Sequence, residues 1–460
     1  MTTTRRLTTK LRLSKYATVL FLLAAGTALA PGSTPDLGLS TPQITGSAPS
    51  PLGAALARVG AAPLSAQESI HRFIGEARPI LDVRLRYEFV DQASFEHDAH
   101  ALTLRGRMGA ESGEVAGFRL LLEGDLTRAV GAEDFNSTVN GRVTRPVVPD
   151  PDSERINRAH LTWQGGGWTA IAGRQRIVHD HARFVGNVGF RQNEQTYDGI
   201  RIQTPLTAEI SAEYAHLWQV NRVFGSNSAF GTEGISGHLV RLSRPSPLGT
   251  LSAHGYWLDF DDALVARSNR TLGVRLTGDR PLPSGWTANW AAALSRQHDH
   301  GSAPREFSLD YAELRAGLAR GGLSVTLGVE VMEGDGEQGF ATPLATLHAF
   351  QGFADLFLTT PPDGLVDRHL VVGYRIDDLP RIGGLRLGAR FHDFAVQGSA
   401  TGSNPTDLGR EWNASASLHP RSNWDIVAEY ADHSGFRLND SAASPGAVTK
   451  FWFGTTVRIP

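Results

Sequence analysis

Leu81-Asp82-Val83-Arg84-Leu85-Arg86-Tyr87-Glu88-Phe89 carries an apolar residue at every odd position and a charged one at every even position. A strand turns successive side chains to opposite faces, so this stretch makes a ribbon with one apolar face and one ionised face. A soluble sheet edge can show such alternation. Full charges set against Leu, Val, Tyr and Phe are what a strand between lipid and a watery lumen needs. The period returns in Leu102-Thr103-Leu104-Arg105-Gly106-Arg107-Met108, in Phe118–Leu126 with Arg119, Glu123 and Asp125 on the polar face, and in Leu385–His392.

About eighteen such segments run from 80–90 to 449–459, an even number as in bacterial barrels. Short connections alternate with long ones; the longest gaps are about 129–155, 178–195, 219–234, 333–365, 396–407 and 433–448. That sorting predicts an all-β, antiparallel transmembrane β-barrel with short periplasmic turns and long external loops. Every backbone N–H and C=O in hydrocarbon must be paired, so the last strand is expected to meet the first. Phe451–Ile459 resembles the C-terminal assembly signal of such barrels, although Ile459 replaces the usual final aromatic and Pro460 follows it.

The bulk properties agree. Mean hydropathy is −0.20, and there are no cysteines, so thiol chemistry and disulfides are excluded. Residues 1–30 read as a signal peptide, with Arg5, Arg6, Lys10, Arg12 and Lys15 before an apolar run ending at Ala30. Residues 31–75 read as a Pro/Gly/Ser-rich flexible tether, within which Ser69–Gly75 is left open between helix and strand. The barrel is expected over 76–460. Removing the five basic leader residues from 44 leaves 39 against 47 acidic residues, a net charge of −8, so nucleic acid is not an expected partner.

The stretch Gly173–Gln203, GRQRIVHDHARFVGNVGFRQNEQTYDGIRIQ, is a long polar loop between strands. It resembles the signature of the alginate export porins. Pro146–Trp163, PVVPDPDSERINRAHLTW, and Phe340–Leu365, FATPLATLHAFQGFADLFLTTPPDGL, agree with that family in style and order. The resemblance implies an outer-membrane barrel of a Gram-negative bacterium with an electropositive lumen, exporting alginate or a related acidic polysaccharide with the help of periplasmic export partners. Outer-membrane lipid, lipopolysaccharide and the barrel assembly machinery are its implied surroundings. The alternatives are a general or substrate-specific uptake porin for small organic acids or sugars, and an occluded adhesive, structural or enzymatic barrel.

If apolar positions face lipid, their neighbours line the lumen. Arg84, Arg86, Arg105, Arg107 and Arg119 are then pore-lining candidates for anion selectivity, with Arg386 and Arg390 on a later strand. Arg174 and Arg176 lead into the signature loop, where Arg183, Asn187, Arg191, Gln192, Asn193 and Glu194 are candidates for a constriction. No catalytic constellation is expected. No cofactor or metal is expected either, apart from a weak case for structural calcium at Asp150, Asp152 and Glu154 in an external loop. His179 and His181, and likewise His298 and His300, are spaced to point the same way on a strand but lack an evident third ligand.

Overall fold

The structure is a computed structural model that describes residues 65–380, 382–398, 407–435 and 446–459. The expected signal peptide, most of the expected tether and Pro460 lie outside them. The end of that tether is ordered: Ala66–Gly75 forms a helix (α1), started by a capping box in which the Ser65 hydroxyl accepts from the Glu68 N–H.

Eighteen strands follow. They are β1 (Arg78–Gln92), β2 (Ala99–Glu111), β3 (Phe118–Asp134), β4 (Ser153–Gly165), β5 (Trp168–Gln175) and β6 (Thr196–Pro205). Next come β7 (Ser211–Asn221), β8 (Thr232–Ser246), β9 (Gly249–Phe260), β10 (Asn269–Pro281), β11 (Thr287–Asp299) and β12 (Ser308–Arg320). The barrel ends with β13 (Leu323–Met332), β14 (Leu365–Leu379), β15 (Gly383–Ala395), β16 (Asp407–Arg421), β17 (Trp424–His433) and β18 (Val448–Ile459). Each pairs antiparallel with its sequence neighbours, and β18 closes on β1 from Leu81↔Ile459 to Gln92↔Val448. Closure removes both edges, the condition for a sheet in hydrocarbon.

The wall is polar inside and apolar outside. On β1, Val83 and Leu85 are 39% and 38% exposed while Arg86 and Glu88 are 5% and 1% exposed. The same inversion puts Leu272, Leu294, Leu314, Leu327 and Leu387 on the outer surface and Arg275, Glu313, Glu330 and Asp367 inside. Such a surface is stable only against an apolar medium, because ionised groups are covered while leucines stay open. Short turns such as Gly166–Gly167 and Gly321–Gly322 close one end of the barrel, and the termini of the sheet lie at that end. The long connections, including loop 2 (135–152), loop 3 (176–195) and loop 7 (333–364), leave from the other.

Candidate functional site

Loop 3 is the signature stretch, and it folds into the barrel. It reaches well-separated parts of the wall: Arg191 pairs with Glu88 of β1 at 2.9 Å, and Arg183 pairs with Glu330 of β13. Loop 7 runs beside it, with a parallel bridge at Val185↔Leu344 and a bond from the Gly186 N–H to the Leu344 carbonyl at 2.8 Å. Loop 7 approaches so closely that a Cβ on Gly186 would meet the Thr346 hydroxyl oxygen at 2.2 Å and the Thr346 backbone nitrogen at 2.9 Å. Val188 is held at φ +49°, a left-handed conformation that a β-branched residue rarely adopts, by its N–H donating to the Thr346 hydroxyl at 3.1 Å.

The polar residues of loop 3 are its anchors. Arg183 is buried, donates to Thr342 Oγ1 at 3.1 Å and lies 4.8 Å from the Phe350 ring centre. Gln192 donates to Thr103 Oγ1 of β2 at 2.9 Å, while its own N–H donates to Asp150 of loop 2 at 2.8 Å. Asn193 accepts from the Ser153 hydroxyl at 2.9 Å, and Asn187 donates to Glu194 at 2.9 Å. Glu194 is the hub: Arg107 lies 3.1 Å from it, and Arg176 bonds it in bidentate fashion. Burial pushes the Glu194 carboxyl up, but Arg107 and Arg176 more than reverse this and hold it at about 2. Asp355 of loop 7 meets His348 at 2.7 Å, Lys450 of β18 at 3.1 Å and Arg191 at 3.3 Å. Burial disfavours its charge, and those cations outweigh burial and keep its pKa well below the ordinary range.

The arginines of the first strands sit beneath this loop rather than in an open lumen. Arg84 donates to the Gly189 carbonyl at 3.0 Å and to Gln192 Oε1 at 2.9 Å. Arg86 bonds Asp150 and the Phe190 carbonyl, Arg105 bonds Asp82, and Arg107 bonds Asp125 at 2.6 Å. Arg119 stands at the short-turn end beside Glu114, 3.7 Å away, and Gln164. Arg174 forks onto Asp198 at 2.7 and 2.9 Å, on the face of β5 opposite buried Gln175 and therefore away from the lumen. Arg386 and Arg390 share the lumen face of β15 with His392, and neither has a carboxylate within ion-pair distance among the described residues. The Arg390 guanidinium instead lies 4.6 Å from the Phe353 ring centre of loop 7.

Besides the network around Arg191 and Asp355, three groups of charge bear on the solute. In the first, Arg107, Arg155, Arg158 and Arg176 face Glu123, Asp125 and Glu194, four cations against three anions. In the second, Arg275 and Arg315 share Glu313 at 3.5 and 2.7 Å, with His181 at 3.4 Å. The third is the Arg386 and Arg390 pair. Arg155, Arg158 and Arg275 find these partners through strand register, which brings together residues far apart in sequence, whereas Arg315 meets Glu313 two positions away on its own strand.

Arg174 thus leaves the set of pore-lining candidates, and the case for calcium is overturned as well. Asp150, Asp152 and Glu154 do not converge on a cation site: Asp150 serves Arg86 and Gln192, Asp152 accepts from the Ala129 N–H at 2.8 Å, and Glu154 pairs with Arg128. His179 and His181 do not point together, because Asp180 between them has φ +50°; His179 goes to Glu213 at 2.9 Å and His181 to Glu313.

No family model matches the chain, and no curated protein matches it. Solved structures do. OccAB2 of Acinetobacter baumannii is 16% identical with a TM-score of 0.66, over 85% of this chain and 100% of that one. OpdK of Pseudomonas aeruginosa, solved with vanillate, is 14% identical with a TM-score of 0.64, over 84% and 99%. A BenF-like porin from Pseudomonas fluorescens Pf-5 is 13% identical with a TM-score of 0.64, over 84% and 100%. The chain thus has the closed eighteen-stranded barrel fold of these outer-membrane porins, and the likeness does not single out the alginate export porins.

Proposed function

We propose that this barrel is a passive outer-membrane channel of a Gram-negative bacterium that admits small organic anions, carboxylates above all. The observation that carries the reading is a set of arginines, on a lumen narrowed by loops 3 and 7, that no carboxylate matches one for one at contact distance. After the buried pairs are matched, Arg386 and Arg390 remain without a salt-bridged acid among the described residues, and Arg275 and Arg315 share one. A guanidinium offers a planar fork that fits a carboxylate, and in a constriction of low dielectric it attracts anions and repels cations. The vanillate in the OpdK structure is an aromatic monocarboxylate, the class of solute this lining suits. Export of alginate or a related polyuronate is the rival reading, supported by the likeness of Arg183–Asp198 to that family's signature loop; it uses the same arginines but a polymeric anion.

Proteoliposomes holding the full chain decide between them. Faster flux of vanillate or benzoate than of a neutral aromatic alcohol of similar size is the expected result. Equal rates would overturn the carboxylate reading. Blockage of ion current by micromolar polyguluronate or polymannuronate, without flux of the monocarboxylates, would transfer the claim to the polysaccharide.

A further inference from the structure

Behind loop 7, on the lumen face of β14 and β15, lie Asp367, His369 and His392. Asp367 and His369 are two residues apart on one strand and point the same way, and His392 lies directly across from His369 in the β14–β15 register. His392 Nδ1 is 2.9 and 3.1 Å from the two Asp367 oxygens, and His369 Nδ1 is 3.4 Å from one of them. One ligand atom from each residue falls within 4.8 Å of the others. Asp367 and His392 are 2% and 4% exposed.

Two further observations point to a ligand rather than to a finished hydrogen-bond network. His392 Nε2 is buried and has no hydrogen-bond partner, and the buried His369 Nδ1 has nothing but its long 3.4 Å contact with Asp367. A buried ring nitrogen without a partner is costly unless something else binds it. The wall also makes room for the second imidazole: a Cβ on Gly328, opposite His369 on β13, would lie 2.0 Å from His369 Nε2. Nearby charge is mixed. Glu411 stands across from His392 on β16 with Oε2 unpartnered, and Arg390 is two positions along β15.

We propose that Asp367, His369 and His392 form a site for one divalent transition-metal cation of the zinc, cobalt or nickel class. Two imidazoles and one carboxylate are the donors such ions prefer, whereas calcium and magnesium take oxygen alone. Tetrahedral ligands at about 2.1 Å lie about 3.4 Å from one another, so modest rotations of the two rings bring the three donors together and leave a position for water or solute. The cation would sit under the tip of loop 7, where the Ala354 N–H donates to Glu411 Oε1 at 2.8 Å and Phe357 packs on Phe394 with ring centres 4.6 Å apart.

Cobalt titration of the untagged, chelator-stripped barrel in detergent tests this, with visible absorption reporting coordination and elemental analysis giving stoichiometry. One cobalt or zinc per barrel is expected, with affinity reduced on the order of 100-fold or more in each of His369→Ala, His392→Gln and Asp367→Asn. His71→Ala on exposed α1 should bind as the parent does. Retained heat-modifiable migration on unheated gels identifies the variants that remain folded barrels, and the conservative His392→Gln and Asp367→Asn guard against loss by misfolding. No stoichiometric binding by the parent, or binding equal to the parent's in folded variants, would overturn the proposal.

Discussion

The two sides of the lumen use the same residue type for opposite ends. Around β1 to β5, arginines are locked: Arg86, Arg107 and Arg191 are buried and each meets at least two carboxylates, and Arg84, which has none at ion-pair distance among the described residues, is held instead by the Gly189 carbonyl and Gln192 of loop 3. Across the barrel, on β10, β12 and β15, Arg275 and Arg315 share a single carboxylate, and Arg386 and Arg390 have none at ion-pair distance among the described residues. An arginine enclosed by acids is structural and offers little field to a passing solute; one with charge left over is where an anion can dwell. Counting inward arginines from sequence therefore overstates selectivity on the first strands.

That contrast can be broken. The largest expected effect is at the hub of loop 3. Glu194→Gln removes the carboxylate that Arg176 forks onto and one of the three that Arg107 meets, and breaking such a network costs about 3–5 kcal/mol, to be read as a lower unfolding midpoint in denaturant. The same group predicts a pH effect. Its folded pKa is about 2 against an ordinary 4.5, so its stabilisation is complete above about 4.5 and is lost as pH falls toward 2. Single-channel records taken from pH 6 down to 3 should become noisier as loop 3 loosens, and unchanged records would contradict its role as hub.

Next in size is Arg191→Ala, which removes the cation that ties loop 3 to Glu88 of β1 and Asp355 of loop 7. Conductance should rise severalfold and stability fall by about 3 kcal/mol. Arg386→Ala and Arg390→Ala should do the reverse: stability within about 0.5 kcal/mol of the parent, and the anion preference reduced severalfold. The smallest effect is expected for Arg174→Ala. That arginine pairs with Asp198 on the outward face, so reversal potentials should not move. A selectivity change there as large as at Arg390 would erase the distinction between the faces.

The barrel was largely legible in the sequence because its signals are local. Alternation in Leu81–Phe89 fixes two faces without knowledge of any partner strand, and loop lengths sort the ends. Partnership was not legible. Arg183 finds Glu330, and Arg191 finds Glu88, across separations that only strand register and the inward course of loop 3 define. Asp367, His369 and His392 were missed for the same reason, since the third residue becomes a neighbour only when β15 pairs with β14. His179 and His181, which showed no third ligand in the sequence, point apart because a left-handed Asp180 cancels the two-residue period that a strand would have imposed. The resemblance to alginate export porins carried the fold correctly, while its solute stays a rival reading.

The central claim is that residual guanidinium charge on β10, β12 and β15 makes the pore prefer anions. Reversal potentials of the full chain in planar bilayers under a potassium chloride gradient test it most directly. Chloride should permeate several times more readily than potassium in the parent, and the preference should fall toward unity in the Arg386→Ala/Arg390→Ala double variant while Arg174→Ala matches the parent. A cation-selective parent, or a double variant as anion-selective as the parent, would contradict the account.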